Sequence, residues 1–306
     1  MDKAKIVVVG SSNTDMIIKV PRIPKPGETI LGGKFLSAAG GKGANQAVAA
    51  ARAGGSVSFI ARVGEDMFGD KAVEGFIADK INVDYIIKDK KAPSGVAEIF
   101  VDDEGENSIA VASGANLNLS PQDIIKAKNV ISSSDILVMQ LEIPLETVNA
   151  AAQIANECGV KVILNPAPAQ PLDDSLFQNL TILTPNESES ELLTGILVKD
   201  EKSAEQAARV LIAKGVDTVI VTMGSKGALL VTADVSEMIP GYKVEAVDAT
   251  AAGDVFNGAL SVALAEKKSL KNGLRFANAA AALSVTKLGA QPSAPQREDV
   301  EKLLWN

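Results

Sequence analysis

The feature that most restricts the fold of this chain is a regular alternation of short apolar segments with longer helical ones. Lys5 to Val9 is almost entirely apolar, the pattern of a strand that is buried on both faces. The alternation predicts an α/β fold with one doubly wound, mostly parallel sheet and helices on both faces. It extends over residues 1–306, so we expect a single domain, although length alone would also allow two smaller ones. Further strands are predicted at 56–63, 135–140, 161–164, 182–184, 218–222, 227–232 and 242–247, and helices at 38–53, 67–80, 145–158, 203–214, 256–265 and 270–287.

Two pairs of extended segments, at about residues 16–35 and 95–111, fit poorly into this alternation. The first pair, Met16 to Val20 and Thr29 to Phe35, is separated by a link whose three prolines exclude a helix. The second pair flanks an acidic turn at 102–106 and is predicted to form a hairpin. We therefore expect a small separate sheet that covers the site or pairs with another subunit.

The net charge and the absence of histidine exclude several classes of protein. The formal charge of -8 argues against nucleic acid or an anionic membrane surface as the main partner. We find neither an apolar run long enough to cross a bilayer nor a signal peptide. The single cysteine, Cys158, cannot form an internal disulfide, which predicts a reducing, cytoplasmic location. Without histidine, a Ser-His-Asp triad and histidine-containing zinc sites are excluded, and proton transfer must fall to Asp, Glu, Lys, Tyr or Cys.

The stretch Asp248 to Gly258 carries the clearest chemical pattern and is predicted to join a strand to a helix. Small residues at Ala251, Ala252 and Gly253 would leave backbone N–H groups open at the helix start, which makes an anion site. Asp254 would lie beside the anion. This arrangement suits a reaction in which a hydroxyl loses its proton while charge develops on a phosphoryl group. The alternative is a tight turn whose aspartate only favours the helix dipole.

A second glycine-bearing stretch, Ala38 to Gln46, is predicted to open a helix that continues through Ala53. Its glycines permit close backbone approach, while Lys42 and Asn45 offer polar groups. It is not a Walker A loop, because Gly43 stands where Ser or Thr must follow the lysine, and the dinucleotide spacing Gly-x-Gly-x-x-Gly is also missing. Glycines that serve only helix packing would explain the stretch equally well.

Polar residues follow several predicted strands, at the edge where ligands bind in open α/β sheets. Asn13 and Asp15 follow the first strand and are candidate ligand contacts, although such residues also make ordinary turns. Glu187 and Glu189 suit the first turn of a helix, and metal ligation through water is the alternative for them. Other strands end in Gln140, Glu142 and Asn165.

Together and in this order, the two glycine-bearing stretches resemble the two signatures of the ribokinase family of sugar kinases. The resemblance covers nearly the whole chain and is far more specific than either motif alone. It implies that the early strands form a lid, which in this family also makes the dimer contact. The further segments that carry the resemblance are 10–15, 140–142, 164–169, 184–187 and 289–293.

The resemblance implies ATP-dependent phosphorylation of D-ribose at its 5-hydroxyl, with Mg²⁺ and an activating monovalent cation, usually K⁺. Asp254 matches the base that takes the proton from the 5-hydroxyl, and Ala251, Ala252 and Gly253 match the anion hole. The positions that match the sugar site are Asn13, Asp15, Gly41, Lys42, Gly43, Asn45, Glu142 and Asp254. Those that match the nucleotide site are Asn186, Glu189, Thr222, Gly224, Ser225, Lys226, Gly227, Gly253 and Asn278. Those that match the loop for the monovalent cation, mostly through backbone carbonyls, are Asp248, Thr250, Ser284, Lys287, Gly289 and Ser293.

Two positions depart from the family pattern. Ala249 stands where Thr or another small polar or β-branched residue is usual, and Val255 stands where Thr is frequent. Neither change removes an acid, a glycine or a main-chain carbonyl, so catalysis should survive. The strength of potassium activation is the property that Ala249 puts in question.

Three other functions compete with this interpretation. The nearest is another sugar kinase of the family, such as a deoxyribokinase or a fructokinase, because Asp15 and Glu142 discriminate only weakly between sugars. A non-catalytic sugar- or nucleotide-binding regulator could lose the acid or the anion hole, and this chain has both. A Rossmann dehydrogenase is disfavoured, because no dinucleotide fingerprint follows the first strand.

Overall fold

The computed structural model describes residues 3–31, 33–104 and 106–305. Its strands are β1 (Lys5–Val9), β2 (Asn13–Lys19), β3 (Lys34–Gly40), β4 (Ser56–Gly64), β5 (Ile86–Asp89), β6 (Gly95–Val101), β7 (Asn107–Ala112), β8 (Ile136–Met139), β9 (Lys161–Leu164), β10 (Ile182–Leu183), β11 (Thr218–Thr222), β12 (Gly227–Val231) and β13 (Ser236–Pro240). Its α-helices are α1 (Lys42–Arg52), α2 (Met67–Ala78), α3 (Pro121–Lys126), α4 (Lys128–Ser132), α5 (Leu145–Glu157), α6 (Asp174–Phe177), α7 (Glu187–Thr194), α8 (Glu201–Ala213), α9 (Ala252–Ala265), α10 (Leu270–Ser284) and α11 (Arg297–Trp305). Short 3-10 turns lie at Gly114–Asn118, Gly224–Lys226 and Gln291–Ser293.

The main sheet, within the described residues, has nine strands in the order β13-β12-β11-β10-β9-β8-β1-β4-β5. Strands from β11 to β5 in this order pair in parallel, whereas β12 and β13 are antiparallel. The predicted doubly wound, mostly parallel sheet is therefore confirmed. Because the chain leaves β1 towards β4 on one side and returns to β8 on the other, the crevice above β1 and β8 is the expected ligand site.

Helices cover both faces of this sheet, as the side chains of β1 show. Ile6 and Val8 pack in one core with residues of α1, α9 and α10. Val7 and Val9 point to the opposite face and pack with residues of α3, α5 and α8. A strand buried on both faces needs the unbroken apolar run that the sequence shows. Within the described residues, no helix has the length and hydropathy needed to span a bilayer.

A second, four-stranded sheet has the order β3-β2-β6-β7. The predicted small sheet and its 95–111 hairpin are confirmed, apart from Gly105 in the turn, which lies outside the described residues. The predicted strand at 29–35 is wrong, because the strand that pairs with β2 runs from Lys34 to Gly40. Gly32, inside the predicted segment, lies outside the described residues. The segment 38–40 is consequently strand, and α1 begins only at Lys42.

Two more differences affect the neighbourhood of the site. Asn13 and Asp15 lie in β2 itself, which begins earlier than the predicted Met16, and not in a loop. The predicted strand at 242–247 is wrong. The edge strand is β13, and Val247 instead donates its N–H to the carbonyl of Val285, 2.7 Å away at the end of α10. A short alternating segment beside a helix end cannot be told from an edge strand by its pattern alone.

Helices α1 and α9 pack in close contact where α9 has Gly258. A Cβ at Gly258 would lie 2.7 Å from both the Ala49 Cβ and the Gln46 carbonyl oxygen, so any side chain must push the helices apart. Gly258→Ala should therefore destabilise the protein by about 1–3 kcal/mol, the usual range for overpacking. Gly75→Ala in α2 is the matched control, because nothing lies within 4 Å of its added Cβ, and it should gain stability through helix propensity. Urea unfolding of both variants measures the difference, and equal midpoints would contradict the close contact.

Candidate active site

A cavity of about 170 Å³ lies at the carboxyl ends of the central strands, between α7 and the start of α9. It brings together the acid, the anion-site residues and part of the predicted nucleotide site. Its lining residues are Lys42, Asn165, Ala167, Thr184, Asn186, Glu189, Thr222, Ala249, Ala251, Ala252, Gly253, Asp254 and Asn257. The sequence-predicted residues Asn13 and Glu142 line a neighbouring cavity between the small sheet and the main body.

The turn that opens α9 has the features of an anion site. Ala251 has a φ of 60°, a left-handed conformation that is unusual for alanine and reverses the chain just before the helix. In the described chain, no side-chain oxygen caps this helix, so a ligand can use its first-turn donors. One predicted donor is occupied, because the Ala252 N–H donates to the Ala249 carbonyl at 3.2 Å.

Asp254 lies in the first turn of α9 and is only 4 % exposed. Its Oδ2 accepts from Asn45 Nδ2 and its Oδ1 from Gln46 Nε2, both at 2.9 Å. Burial raises the pKa of Asp254 above its ordinary value, while Lys42 and the two amides act in the opposite direction. The result is a carboxylate that is held in one orientation and is a stronger base than an exposed aspartate.

Lys42 is the cation of the site. Burial alone would lower its pKa, but the nearby carboxylates of Asp254, Glu142 and Glu189 raise it above the ordinary value, so the ammonium stays charged. The backbone N–H of Lys42 also donates to Glu142 Oε2 at 3.0 Å, which ties the start of α1 to the segment after β8. The Lys42 ammonium offsets part of the negative charge of these three acids and is a positive group that can face an incoming phosphate.

The acids near the small sheet form the other half of the site. Asp15 lies against Gly40, where a Cβ would be 2.3 Å from both carboxylate oxygens. Burial, with the charges of Glu142 and Asp254, raises the pKa of Asp15 to about 6. Asn13 accepts a 2.8 Å hydrogen bond from Asn116 Nδ2.

The glycine turn next to these acids needs its small residues. Gly41 has a φ of 88°, and a Cβ there would lie 2.6 Å from the Asn13 nitrogen. A Cβ at Gly43 would lie 2.5 Å from the Ser11 nitrogen. These glycines therefore bring β1, β2 and α1 into close contact beside the acids.

The predicted nucleotide residues lie on the opposite side of the cavity, and several have structural tasks. The Asn186 side chain caps α7, and the Glu189 carboxylate accepts hydrogen bonds from the backbone N and the Nδ2 of Asn186, so Glu189 has the structural role in the first turn that the sequence allows. Thr222 N donates to the Pro185 carbonyl, which places the end of β11 beside this cap. Asn278 donates to the carbonyls of Ile239 and Pro240 and so ties α10 to β13.

The loop after β11 is more open. Gly224, Ser225 and Lys226 form an exposed 3-10 turn. Gly227 follows with a φ of 107°, and a Cβ there would lie 2.2 Å from the Ile239 carbonyl oxygen. Gly227 is therefore required because the backbone at the end of β13 lies too close for any side chain.

The residues matched to the monovalent-cation loop come from two segments that meet. Asp248 Oδ1 accepts from Thr250 N at 2.9 Å, and Oδ2 accepts from Gly289 N at 2.8 Å. Burial would raise the pKa of Asp248, but these hydrogen bonds hold it below its ordinary value, so the group stays ionised. Ser284 and Ser293 are buried nearby, and Lys287 N donates to the Ser284 carbonyl at 3.1 Å. Carboxylate, hydroxyl and carbonyl oxygens suit a hard cation such as K⁺.

A protein-only Mg²⁺ site has less support. In the described part of the chain, no three Asp, Glu or Cys side chains lie together as a metal-binding group. Glu189, which the sequence leaves open as a ligand through water, has both oxygens engaged by Asn186. A nucleotide-bound ion contacted through water is compatible with this arrangement, whereas direct ligation by several carboxylates is not.

Sequence reasoning placed Gln140 and Asn165 at the edge of the sheet but gave neither them nor Gln46 a role in supporting the acid. Gln46 and Gln140 are fully buried, and Asn165 is nearly so. Asn116, in a 3-10 turn, donates to Asn13 and accepts from the Ser12 N–H. Gln140 and Asn165 follow strands that were predicted to end at the site, and this position is the signal that the sequence offers. The groups to which they hydrogen-bond depend on the packing of α1.

Comparisons with known proteins agree with this geometry. The profile of the family described as "pfkB family carbohydrate kinase" matches residues 3–297. A ribokinase of Haemophilus influenzae is 48 % identical over 98 % of this chain and 98 % of its own length. A deoxyribokinase of Salmonella typhi is 40 % identical over the same shares. The structure of Arabidopsis thaliana ribokinase complexed with ribose and ATP is 36 % identical, covers 99 % of both chains and superposes with a TM-score of 0.93. The chain therefore belongs to the pfkB family of carbohydrate kinases.

Proposed function

We propose that this chain transfers the γ-phosphoryl group of ATP to the 5-hydroxyl of D-ribose, giving D-ribose 5-phosphate and ADP. The observation that carries the proposal is the buried Asp254 carboxylate, held by two amides in the first turn of α9 and facing Lys42. Several relatives named ribokinase are 40–48 % identical over nearly the full chain, which supports ribose as the acceptor.

In this proposal Asp254 accepts the proton of the attacking hydroxyl. Phosphoryl transfer requires mainly positioning and charge neutralisation, and the proton leaves late, so a positioned carboxylate is sufficient. The N–H groups of Ala251 and Gly253 at the start of α9 and the Lys42 ammonium would stabilise the charge on the transferring group, whereas the Ala252 N–H already donates to the Ala249 carbonyl. Mg²⁺ would neutralise charge on the ATP phosphates, and Asn186 and Glu189 would contact it through water.

The two substrates approach from opposite sides of Asp254. ATP would lie over Asn186, Thr222 and the 224–227 turn, where the surface is open. The sugar would lie between Asp15, Glu142 and Asn45, beneath the small sheet. Asn45 supports this placement, because its Oδ1 is buried and has no partner among the described residues, as an acceptor awaiting a sugar hydroxyl would be.

Asp15→Asn tests the sugar side. Because folding raises the pKa of Asp15 to about 6, its ionisation costs stability as pH rises from 3.8 to 6, and the cost is fully present above that. The variant should therefore have a higher Tm than the unaltered protein at pH 8. It should also bind D-ribose about tenfold more weakly or worse, through loss of charge-assisted hydrogen bonds. In the unaltered protein, ribose affinity should fall as pH drops below about 6.

Calorimetric titration with ribose at pH 5 and pH 8 measures the affinity. Asp217→Asn is the control and should match the unaltered protein, because Asp217 is exposed and lies just before β11, at the opposite end of that strand from Thr222. A ribose affinity that is independent of pH and of Asp15 would remove this residue from the sugar site.

We further propose K⁺ activation through the loop formed by Asp248, Thr250 and Gly289, together with Ser284, Lys287 and Ser293. The network of hydrogen bonds around Asp248 supports a loop that a cation could order. Gln291 Nε2 lies 3.5 Å from the Gly40 carbonyl, which would link the loop to the glycine turn of the sugar site.

The small sheet is proposed to act as a lid and as the contact of a homodimer. Its outer strands expose apolar side chains that a second copy could cover, namely Phe35, Leu36, Ile109 and Val111. We place the protein in the cytoplasm, which the single cysteine supports.

The experiment that tests the substrate is a comparison of kcat/KM for D-ribose and 2-deoxy-D-ribose, each in K⁺ and in Na⁺. The deoxyribokinase relative makes deoxyribose the relevant competitor. A higher value for ribose, and faster turnover in K⁺, is the expected result. A higher kcat/KM for 2-deoxy-D-ribose would mean that the protein is a sugar kinase whose preferred substrate is deoxyribose.

A further inference from the structure

Gln46 is buried on α1 next to Asn45, and the two residues hold the carboxylate of Asp254 between them. Asn45 donates to Oδ2 and Gln46 to Oδ1, each at 2.9 Å. The Oδ1 of Asn45 is unpaired within the described residues, so a ligand hydroxyl would approach on the Oδ2 side of the carboxylate. Gln46, in contrast, lies on the side away from the substrate.

The amide of Gln46 has a partner for every polar atom. Its Nε2 donates to Asp254 Oδ1 and also, at 3.2 Å, to Asn165 Oδ1. Its Oε1 accepts from Gln140 Nε2 at 2.6 Å. Because Asp254 and Asn165 both present oxygen atoms, only the nitrogen end of the amide can face them. Gln140, donating to the other end, fixes this orientation.

The partners of Gln46 are attached to rigid parts of the fold. Gln140 directly follows β8 and Asn165 directly follows β9. Asn165 Nδ2 donates to the Thr184 carbonyl at 3.2 Å, and Thr184 Oγ1 donates to Asn257 Oδ1 at 2.7 Å. Asn257 Nδ2 in turn donates to the Gly253 carbonyl at 2.9 Å, in the turn that opens α9. The amides thus connect three central strands to the acid and to the anion site.

We propose that Gln46 is a positioning residue of the phosphoryl transfer, which fixes the plane of the Asp254 carboxylate so that Oδ2 faces the attacking hydroxyl. Gln140 supports it by holding the amide in the donating orientation. The inference rests on the proposed function. It assigns Gln46 a role in turnover and none in holding either substrate, since its polar atoms are occupied by protein groups.

The charges that face Asp254 come from four other parts of the chain, and none of them is changed by altering Gln46. They are Lys42 at the start of α1, Glu142 after β8, Glu189 in α7 and Asp15 in β2. Loss of the Gln46 donor removes one of the groups that lower the pKa of Asp254. The acidic limb of the plot of kcat against pH should therefore move to higher pH.

The test uses Gln46→Met and Gln140→Met, which keep side-chain length but cannot donate. Gln153→Met, on the exposed face of α5, is the matched control and should behave as the unaltered enzyme. Gln46→Met should lower kcat by up to about 100-fold through misplacement of the base. The KM values for ribose and ATP should stay unchanged. Gln140→Met should act in the same direction with a smaller loss, and the double variant should be no worse than Gln46→Met, because the two act in series.

The outcomes separate this inference from the proposed function. A Gln46→Met enzyme with unchanged kcat and an unchanged acidic limb would show a purely structural glutamine and overturn the assignment, even if its Tm were lower. Should Gln46→Met not fold, a kcat loss and shifted limb in Gln140→Met support the assignment, and their absence overturns it. Lack of any sugar phosphorylation by the unaltered chain would instead refute the proposed function, and with it this role.

Discussion

Asp254→Asn is expected to lower kcat by roughly 10³-fold, within the range of about 10²–10⁴ that a positioned general base contributes. The asparagine keeps the shape of the side chain but cannot take the proton of the sugar hydroxyl. Binding of both substrates should persist, because Asn45, Glu142 and Lys42 remain in place. Steady-state rates with ribose and ATP, together with calorimetric titration of each substrate, measure the two effects separately.

The same substitution should raise the stability of the free protein at neutral pH. Burial raises the pKa of Asp254, so the folded chain retains this proton to a higher pH than the unfolded chain does. Stability is consequently lost as pH rises from 3.8 towards the folded value, and the asparagine variant does not incur this loss. A higher Tm at pH 8 with little turnover is the expected combination. Asp217→Asn should change neither quantity, and near-normal turnover by Asp254→Asn would show that another group is the base.

Lys42→Met is expected to lower kcat by about 10²–10³-fold, the usual cost of removing one group that stabilises transition-state charge. Lys42 is the cation that faces Asp254, Glu142 and Glu189. Without it, the transferring phosphoryl group would meet an excess of negative charge. The KM for ATP should also rise. Lys128→Met, an exposed residue of α4, is the control for loss of a positive charge and should leave the rates unchanged.

The pH dependence gives this second prediction a separate readout. Lys42 lowers the pKa of both Asp254 and Glu189, so its removal should shift the acidic limb of kcat to higher pH. The shift should appear in turnover measured with both substrates saturating. An acidic limb that does not move would show that the ammonium is not close to the ionised base during the reaction.

The main sheet could be predicted from sequence because each of its central strands is buried on both faces. Such strands need unbroken apolar runs, and the run that forms β1 can be recognised without knowing which strands pair with it. The two edge strands of the sheet were harder to predict. The sequence analysis did not predict β5, and it placed the strand at the other edge at 242–247 instead of at β13. An edge strand is stabilised by pairing with its neighbour, and the local sequence pattern does not contain that neighbour.

From the residues alone, the site could be predicted only where a special backbone or a charge made it visible, and the other candidate residues came from the family resemblance. Ala251 to Asp254 and the glycines before Lys42 belong to such turns. The supporting amides of Gln46, Gln140 and Asn165 carry no pattern of their own, since a glutamine on a helix is usually exposed. Their role depends on the close packing of α1 against α9 at Gly258, a tertiary contact with no local signature.

We propose that the Asp254 carboxylate directs phosphoryl transfer to the 5-hydroxyl of D-ribose. The most direct test incubates the purified chain with ATP, Mg²⁺ and D-ribose and identifies the product by phosphorus and carbon NMR. We expect one sugar phosphate, with its phosphorus coupled to C5, to be formed by the unaltered chain and to be almost absent with Asp254→Asn. Phosphate on another hydroxyl, or the same product formed at the same rate by Asp254→Asn, would contradict this proposal.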